Sequence, residues 1–476
     1  MQQTAVSSQQ QAVRIHPYWR ASFLLLTDLA AATISLGTAI GLRYLWDRSL
    51  LWDAYIELWP MLFLFPLAYA LAGLYGVGIA PPEELRRLSY ATSLVFLVLG
   101  GATFMYKSAA EYSRGAFVFA WGLALVLVPL GRALAREMFA RKSWWGAPVV
   151  VLGAGKTGEE VVRALERQPG LGLKPIALLD DDPHKHGLVL GGVQVVGGLE
   201  LAEQYAKAGV KHAILAMPGV PRNRLLELIE TYGHRFPHLI VIPDLLGLSS
   251  LWVASRDIGG ILGLELQHKL LSPASKVTKL SIDWLLALVC FLLSLPLLGL
   301  IWVLVKTTSI GPAFYIQSRL GHKGKIVNII KFRTMYGDGE KRLAQVLAQN
   351  ESLRIEYEQF HKLRNDPRLT PLGKWLRRFS LDELPQIINV LKGEISLIGP
   401  RAYLPREKER IGKFTKTILS VKPGVTGLWQ VSGRNELTFE ERLQIDVYYV
   451  RNWSIWLDLY ILARTVWVVL TGKGAY

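Results

Sequence analysis

The sequence predicts a multi-domain membrane protein. Its expected parts are an N-terminal four-helix transmembrane bundle, a Rossmann-like α/β domain, and a C-terminal α/β-mixed domain on a re-entrant membrane helix. Three observations predict it. Hydrophobic residues make up 51% of the 476 residues, and the mean hydropathy is +0.26. The apolar residues gather into four long runs before residue 140 and a fifth near residue 290. Between them, residues 147–245 alternate apolar strands with helical patterns, which argues for a parallel sheet. The expected domains are 1–140, 147–265 and 276–476.

The four N-terminal spans are expected at Phe23–Leu42, Leu58–Tyr75, Ala91–Met105 and Phe117–Leu134. Each approaches the ~20 residues that a spanning helix needs. Arg14 and Arg20 precede the first span, Arg86 and Arg87 separate the second from the third, and Arg132, Arg136, Arg141 and Lys142 follow the fourth. The positive-inside rule puts all three groups, and the N-terminus, on the cytoplasmic side. The first residues are polar with no cleavage pattern, so no signal peptide is expected. Asp28 lies inside the first span, where an unpaired acid costs about 2.5–3.5 kcal/mol. It is expected to pair with another helix or lie near the interface.

The α/β segment opens with "APVVVLGAGKTGEEVVRALER". Gly153, Gly155 and Gly158 match G-x-G-x-x-G between a strand and a helix, the setting of a dinucleotide loop. Asp180–Asp182 follow at roughly the spacing of a ribose contact. A Rossmann-like domain kept for packing, dimerisation or regulation is the reading these residues favour over dinucleotide binding. "GKT" is not a P-loop, because that motif's first glycine falls on Val150. The single cysteine, Cys290, rules out an intramolecular disulfide and a cysteine-cluster metal site.

Trp284 to Val305 carries no charge and is long enough to cross a membrane. Ser294 and Pro296 stand at its middle, and proline kinks or breaks a helix. Each half is then about 16 Å long, about half the hydrocarbon core. A helix that enters one leaflet and returns fits these lengths. It also keeps the following residues on the cytoplasmic side. Those residues carry +12 of the formal +16 charge. Such an excess suits nucleic acid, anionic lipid or phosphate-bearing substrates.

Residues 306–476 contain no Ser/His/Asp order, no cysteine nucleophile and no zinc pattern. They do contain carboxylates and many guanidinium groups. "GPAFYIQSRLGHKGKIVNIIKFRTM" reads as a hairpin leading into a basic strand. Arg333, Arg377, Arg401 and Arg434 each sit in a motif-like stretch, and arginine forks suit phosphate oxygens. "RRFSLDELPQ" sets Asp382 and Glu383 side by side. Carboxylates with water suit Mg²⁺, and an aspartate can attack phosphorus. Ser380 and Glu383 also spell a capping box, with Phe379 and Leu384 as its hydrophobic staple. Alternatively, Pro385 is the first helical residue and Leu384 is extended. The acids then stand just ahead of a positive helix end, where phosphate is favoured.

The stretches "KFRTM", "SLDELPQ", "SLIGPR", "KPGVTGLWQVSGR" and the terminal "DL" at Asp458 closely resemble the bacterial sugar transferase family, the monotopic phosphoglycosyl transferases. The likeness covers about residues 276–476, and the segments in front resemble the large subclass. The resemblance implies transfer of a sugar 1-phosphate from a UDP-sugar to undecaprenyl phosphate with release of UMP. UDP-galactose is the favoured donor and UDP-glucose the alternative. It implies Asp382 as nucleophile, Glu383 as Mg²⁺ or phosphate positioner, and Arg377 and Arg401 as phosphate ligands. Asp458 is implied as a further essential acid, with Lys331 and Arg333 as site residues. It further implies a helix break at a serine–proline, from which this chain departs because Leu295 separates Ser294 from Pro296. The implied setting is a bacterial inner membrane, with the catalytic part facing the cytoplasm. Membrane lipid is an expected contact and nucleic acid is not; the Rossmann-like segment is compatible with a homodimer. Two other readings stay open: an NAD-dependent oxidoreductase on residues 147–245, which show no Tyr-x-x-x-Lys pair, and a non-enzymatic membrane scaffold.

Overall fold

A computed structural model of the chain describes residues 17–46, 55, 59–105, 113–244, 253–258, 261–266, 270, 273–351, 353–354, 363, 366–433 and 437–471. The chain forms two compact units, Met1–Leu248 and Ser249–Tyr476.

The first unit begins with helices. Helix α1 spans Pro17–Trp46, a 3-10 turn Trp59–Phe63 leads into α2 (Leu64–Leu71), and α3 (Pro81–Met105) and α4 (Arg114–Phe139) follow. Of these, the segments Trp19–Trp46 and Arg114–Phe139 are long and apolar enough to cross a membrane. The expected second span appears as the shorter apolar helix Trp59–Leu71. It stops there because Gly73 turns to φ 70°. The expected third span is the apolar end of α3, whose first turns carry Glu83, Glu84, Arg86 and Arg87.

Asp28 does pair with another helix. Its Oδ1 and Oδ2 accept from Arg132 Nε and Nη2 at 2.7 and 2.6 Å, and Tyr75 Oη donates to Oδ2 at 2.9 Å. Arg132 Nη1 also donates to Glu84 at 2.9 Å, so α1, α3 and α4 share one buried ionic cluster. Paired in this way, the charges avoid the full penalty of burial.

The α/β layer contains β1 (Ala147–Leu152), α5 (Lys156–Arg167), β2 (Leu173–Leu179), β3 (Val189–Leu190), β4 (Val193–Gly197), α6 (Ala202–Lys207), β5 (His212–Leu215), α7 (Arg222–Gly233) and β6 (His238–Val241). The sheet order is β3-β4-β2-β1-β5-β6, parallel except for the short β3 at its edge. β1 is buried along its whole length, as a central parallel strand with helices on both faces requires. The Rossmann-like expectation holds. Close packing accounts for two of the motif glycines. Gly153 has φ 107°, and a Cβ there would lie 2.9 Å from the Ala216 carbonyl; a Cβ on Gly158 would collide with the Gly153 carbonyl. Gly155 faces open space. Asp180 turns back onto the loop and accepts the Ala154 N–H at 2.8 Å, while Lys185 Nζ lies 2.9 Å from the same oxygen.

The second unit begins with the hairpin β7 (Val253–Ile258) and β8 (Ile261–Leu266). The sequence did not announce this hairpin; most of it falls inside the expected 147–265 bounds, and the division at Leu248 places it with the second unit. Helix α8 runs from Pro273 to Thr308, 36 residues. Its stretch Ala274–Thr308 is the third described segment able to cross a membrane. It is one continuous helix with Pro296 inside, and Ser294 Oγ donates to the Phe291 carbonyl at 3.1 Å. Proline has no N–H for the Leu292 carbonyl, so the ladder loses one bond there. The antiparallel pair β9 (Phe314–Leu320) and β10 (Ile326–Phe332) forms the expected hairpin. Then come α9 (Gly339–Gln349), α10 (Pro371–Arg378), α11 (Gln386–Leu391), β11 (Ser396–Ile398), β12 (Gly424–Thr426), α12 (Leu428–Ser432), α13 (Phe439–Asn452) and α14 (Ile455–Thr471). One core cluster joins Ala287 of α8 to Ile387, Ile398, Tyr449, Trp453 and Ile461. A second joins Ile301 and Val305 of α8 to Phe332 and Leu376. Helix α8 is thus the spine on which β10, α10, α11 and α13 are set.

Candidate active site

Three local features of the chain bring the acidic pair into a cleft. Thr370 caps α10 by accepting the Gly373 N–H at 2.9 Å, with Pro371 at the first helical position. α10 must stop at Phe379, and Ser380 takes the left-handed conformation, φ 53°, that helix ends usually reserve for glycine. Leu381–Glu383 then form a 3-10 turn, and α11 starts at Gln386 with Pro385 in the cap position.

The capping box therefore does not form, because a left-handed Ser380 cannot present its hydroxyl as an N-cap. The helix begins on the proline side, as the second reading expects. Leu384 is nevertheless helical (φ −51°, ψ −39°) rather than extended. Its N–H closes the 3-10 turn onto the Leu381 carbonyl at 3.3 Å, and that bond offsets the usual preference before proline.

The cleft has a volume of about 1110 Å³. Lys331, Arg333, Arg377, Asp382, Glu383 and Arg401 all line it. Asp382 is buried, and its carboxyl is pushed up to about 6 by burial first and by Glu383 next, against the pull of Lys331 and Arg377. Glu383 Oε1 sits 2.6 Å from Lys331 Nζ at the end of β10. Arg377 Nε donates to Thr334 Oγ1 at 3.0 Å. The Arg401 guanidinium lies 5.1 Å from the centre of the Trp429 ring, a cation–π distance.

Arg333 lines the cleft but its guanidinium is engaged elsewhere. Nη1 donates to the Ile310 carbonyl at 2.9 Å, and Nη2 to the Ser309 carbonyl and hydroxyl at 2.8 Å. It secures the end of α8, where carbonyls lack helical partners. Asp458 does not reach the cleft. It is buried against Lys279 Nζ (2.9 Å), Tyr449 Oη (2.8 Å) and Trp453 Nε1 (2.9 Å), tying α14 to α8. Ser294 and Pro296 lie along α8, and Gly153, Gly155 and Gly158 belong to the other unit. Arg434 lies outside the described residues.

The cleft also has lining residues that the sequence did not single out: Tyr315, Gln317, Arg319, Tyr336, Arg368 and Trp429. Arg319 Nη1 donates to the Ala402 carbonyl at 2.9 Å, and burial, then Arg401, lowers its guanidinium to about 10. The signal for three of them is in β9. In "FYIQSRL" the residues 315, 317 and 319 alternate onto one face, and Tyr315 pairs in register with Lys331.

The donor set fits Mg²⁺. That ion keeps several waters and binds through one or two carboxylates plus substrate phosphates. Asp382 and Glu383 supply such a pair. Among the described residues no group of three or more His, Cys, Asp or Glu forms a protein cage.

Comparison with known proteins agrees with the geometry. The family described as bacterial sugar transferase matches residues 274–472, the segment that builds the cleft. The family described as CoA-binding domain matches residues 70–243. The chain is 34% identical to the undecaprenyl-phosphate galactose phosphotransferase of Salmonella typhimurium, over 83% of this chain and 82% of that protein. It is 29% identical to the UDP-glucose:undecaprenyl-phosphate glucose-1-phosphate transferase of Escherichia coli, over 81% of this chain and 88% of that one. Exopolysaccharide production protein ExoY of Rhizobium meliloti matches at 41% identity over 43% of this chain and 90% of its own length. With a family match across the cleft and relatives aligned along most of both chains, this protein is a transferase and belongs to the bacterial sugar transferase family.

Proposed function

We propose that the protein transfers a sugar 1-phosphate, galactose 1-phosphate in the favoured reading, from a UDP-sugar to undecaprenyl phosphate. The observation that carries this is one cleft holding Asp382 and Glu383 among Lys331, Arg319, Arg377 and Arg401 on the flank of a membrane helix. A soluble diphosphate donor and a lipid phosphate acceptor both need such cations, and the acceptor needs the membrane.

The reaction runs in two displacements. An Asp382 carboxylate oxygen attacks the sugar-bearing phosphorus, the bond from that phosphorus to the bridging oxygen breaks, and UMP leaves with the electron pair. An oxygen of the lipid phosphate then attacks the same phosphorus. The Asp382 carboxylate leaves unchanged, and the product is a lipid diphosphate sugar. Lys331, Arg377 and Arg401 hold the phosphate oxygens in place, which is most of what phosphoryl transfer asks of a protein. Glu383, with Asp382 beside it, would hold Mg²⁺, which supplies charge neutralisation on the diphosphate.

The membrane placement follows the same logic. The stretch Ala274–Thr308 is 35 residues, about 52 Å as a straight helix, against a ~30 Å hydrocarbon core. We propose that α8, one continuous helix, bends at Pro296, where one ladder bond is missing, and returns to the cytoplasmic face, where UDP-sugars are made. Initiation of O-antigen or another surface polysaccharide is the matching role.

The test is UMP release from UDP-galactose and UDP-glucose in turn, with polyprenyl phosphate and Mg²⁺. UDP-galactose should give the higher kcat/KM, by about tenfold or more. Because a sugar pocket separates donors by the hydrogen bonds it makes to one hydroxyl, the difference should be decisive. Preference for UDP-glucose would reassign the donor, and no UMP from either would reject the reading.

A further inference from the structure

We propose that Asp446 is a positioning residue for the transfer, acting through Arg401. The proposal rests on the reading of Arg401 as a phosphate ligand.

Asp446 lies on α13 and is wholly buried. Its Oδ2 accepts the Arg401 backbone N–H at 3.1 Å and the Tyr403 hydroxyl at 2.8 Å, and its Oδ1 has no hydrogen-bond partner. Tyr449 stands three residues further along the same helix face. Its hydroxyl lies 3.0 Å from the Ile398 carbonyl and 2.8 Å from Asp458 Oδ1, with one hydrogen to share between them. Helix α13 therefore holds the segment after Gly399–Pro400 through Asp446, at Arg401 and Tyr403.

The sequence of that segment explains why it needs the grip. Gly399 is pressed against β12, and a Cβ there would lie 2.7 Å from the Gly424 nitrogen and 2.8 Å from the Lys422 carbonyl. Pro400 offers no N–H. The Gly399 N–H goes to Thr426, so the next backbone donor is that of Arg401, and Asp446 takes it. From this fixed point the Arg401 side chain lines the cleft over Trp429. A wholly buried carboxyl group with one unpartnered oxygen is a poor choice for packing alone. Its placement makes sense as the acceptor that orients the turn carrying Arg401.

The experiment is a double-mutant cycle on the full-length protein in detergent or nanodiscs, read as kcat/KM for UMP release. Arg401→Ala should lose about 10²-fold, the usual scale for one preorganised donor. Asp446→Ala should lose about tenfold or more, and the double variant no more than Arg401→Ala alone, because residues that act through each other are not additive. Asp446→Asn keeps an oxygen acceptor and should return to within about threefold of the parent. Should Asp446→Ala fail to fold, Asp446→Leu removes the acceptor without leaving a cavity and takes its place. Full activity without the acceptor, or losses that multiply in the double variant, overturns the proposal. Full activity of Arg401→Ala overturns the prior reading of Arg401, and this one with it.

Discussion

Asp382→Asn abolishes transfer, with a loss of roughly 10⁴-fold or more in kcat, the scale seen when a nucleophile is removed. The amide matches the carboxylate in shape but is uncharged and far too weak a nucleophile to displace UMP from phosphorus. The 3-10 turn that carries it is held by backbone bonds, so the variant should fold and still bind donor. The same residue sets the acid limb of the pH profile. The attacking form is the carboxylate, and burial with Glu383 raises its pKa to about 6. In the parent protein, kcat should be near its plateau at pH 7 and fall about tenfold per unit below pH 6. An acid limb near pH 4, where an unperturbed aspartate titrates, would mean that Asp382 is solvated or is not the titrating group.

Lys331→Met and Glu383→Gln should move that limb in opposite directions. Lys331 pulls the Asp382 carboxyl down and Glu383 pushes it up. Removing the lysine leaves two carboxylates facing each other, so Asp382 titrates higher and the limb shifts to higher pH. Removing the Glu383 charge lets Asp382 ionise earlier, so the limb shifts to lower pH. Both variants should lose roughly 10²–10³-fold at pH 7, because each also removes a group that holds phosphate or Mg²⁺. The sign of the shift separates this electrostatic coupling from simple disruption. Measured pH profiles that move the same way would contradict the opposite pulls of Lys331 and Glu383 on Asp382.

Much of the site was legible because its parts are local. Asp382 and Glu383 are neighbours in the chain, and Lys331 ends a strand whose alternation is readable. The helix start at Pro385 was one of two readings. The choice between them was made by α10, which needed a left-handed residue at Ser380, and no local pattern announces a serine in a position usually given to glycine. Arg333 and Arg377 look alike in sequence. They part only because the carbonyls of Ser309 and Ile310 end beside one of them. Asp458 is implied as a further essential acid, and no local pattern announces that the fold sets Lys279 against it, from the opposite end of the domain. Asp28 was predictable in kind, since an acid inside an apolar helix requires a partner, though the sequence could not say that Arg132 would supply it. The span lengths were read less well. Hydropathy marks apolar runs, but Gly73 and the charged start of α3 decide where helices stop and begin.

A covalent phosphosugar on Asp382 can be trapped and read by mass. The full-length protein is incubated with UDP-galactose and Mg²⁺ without lipid acceptor, then digested and analysed by mass spectrometry, with UMP quantified in parallel. The account predicts a hexose phosphate on the peptide carrying Asp382 and a burst of up to one UMP per chain. It also predicts that polyprenyl phosphate discharges the adduct. UMP released only when the lipid acceptor is present, with no adduct on that peptide, would contradict it and point to direct transfer between the two substrates.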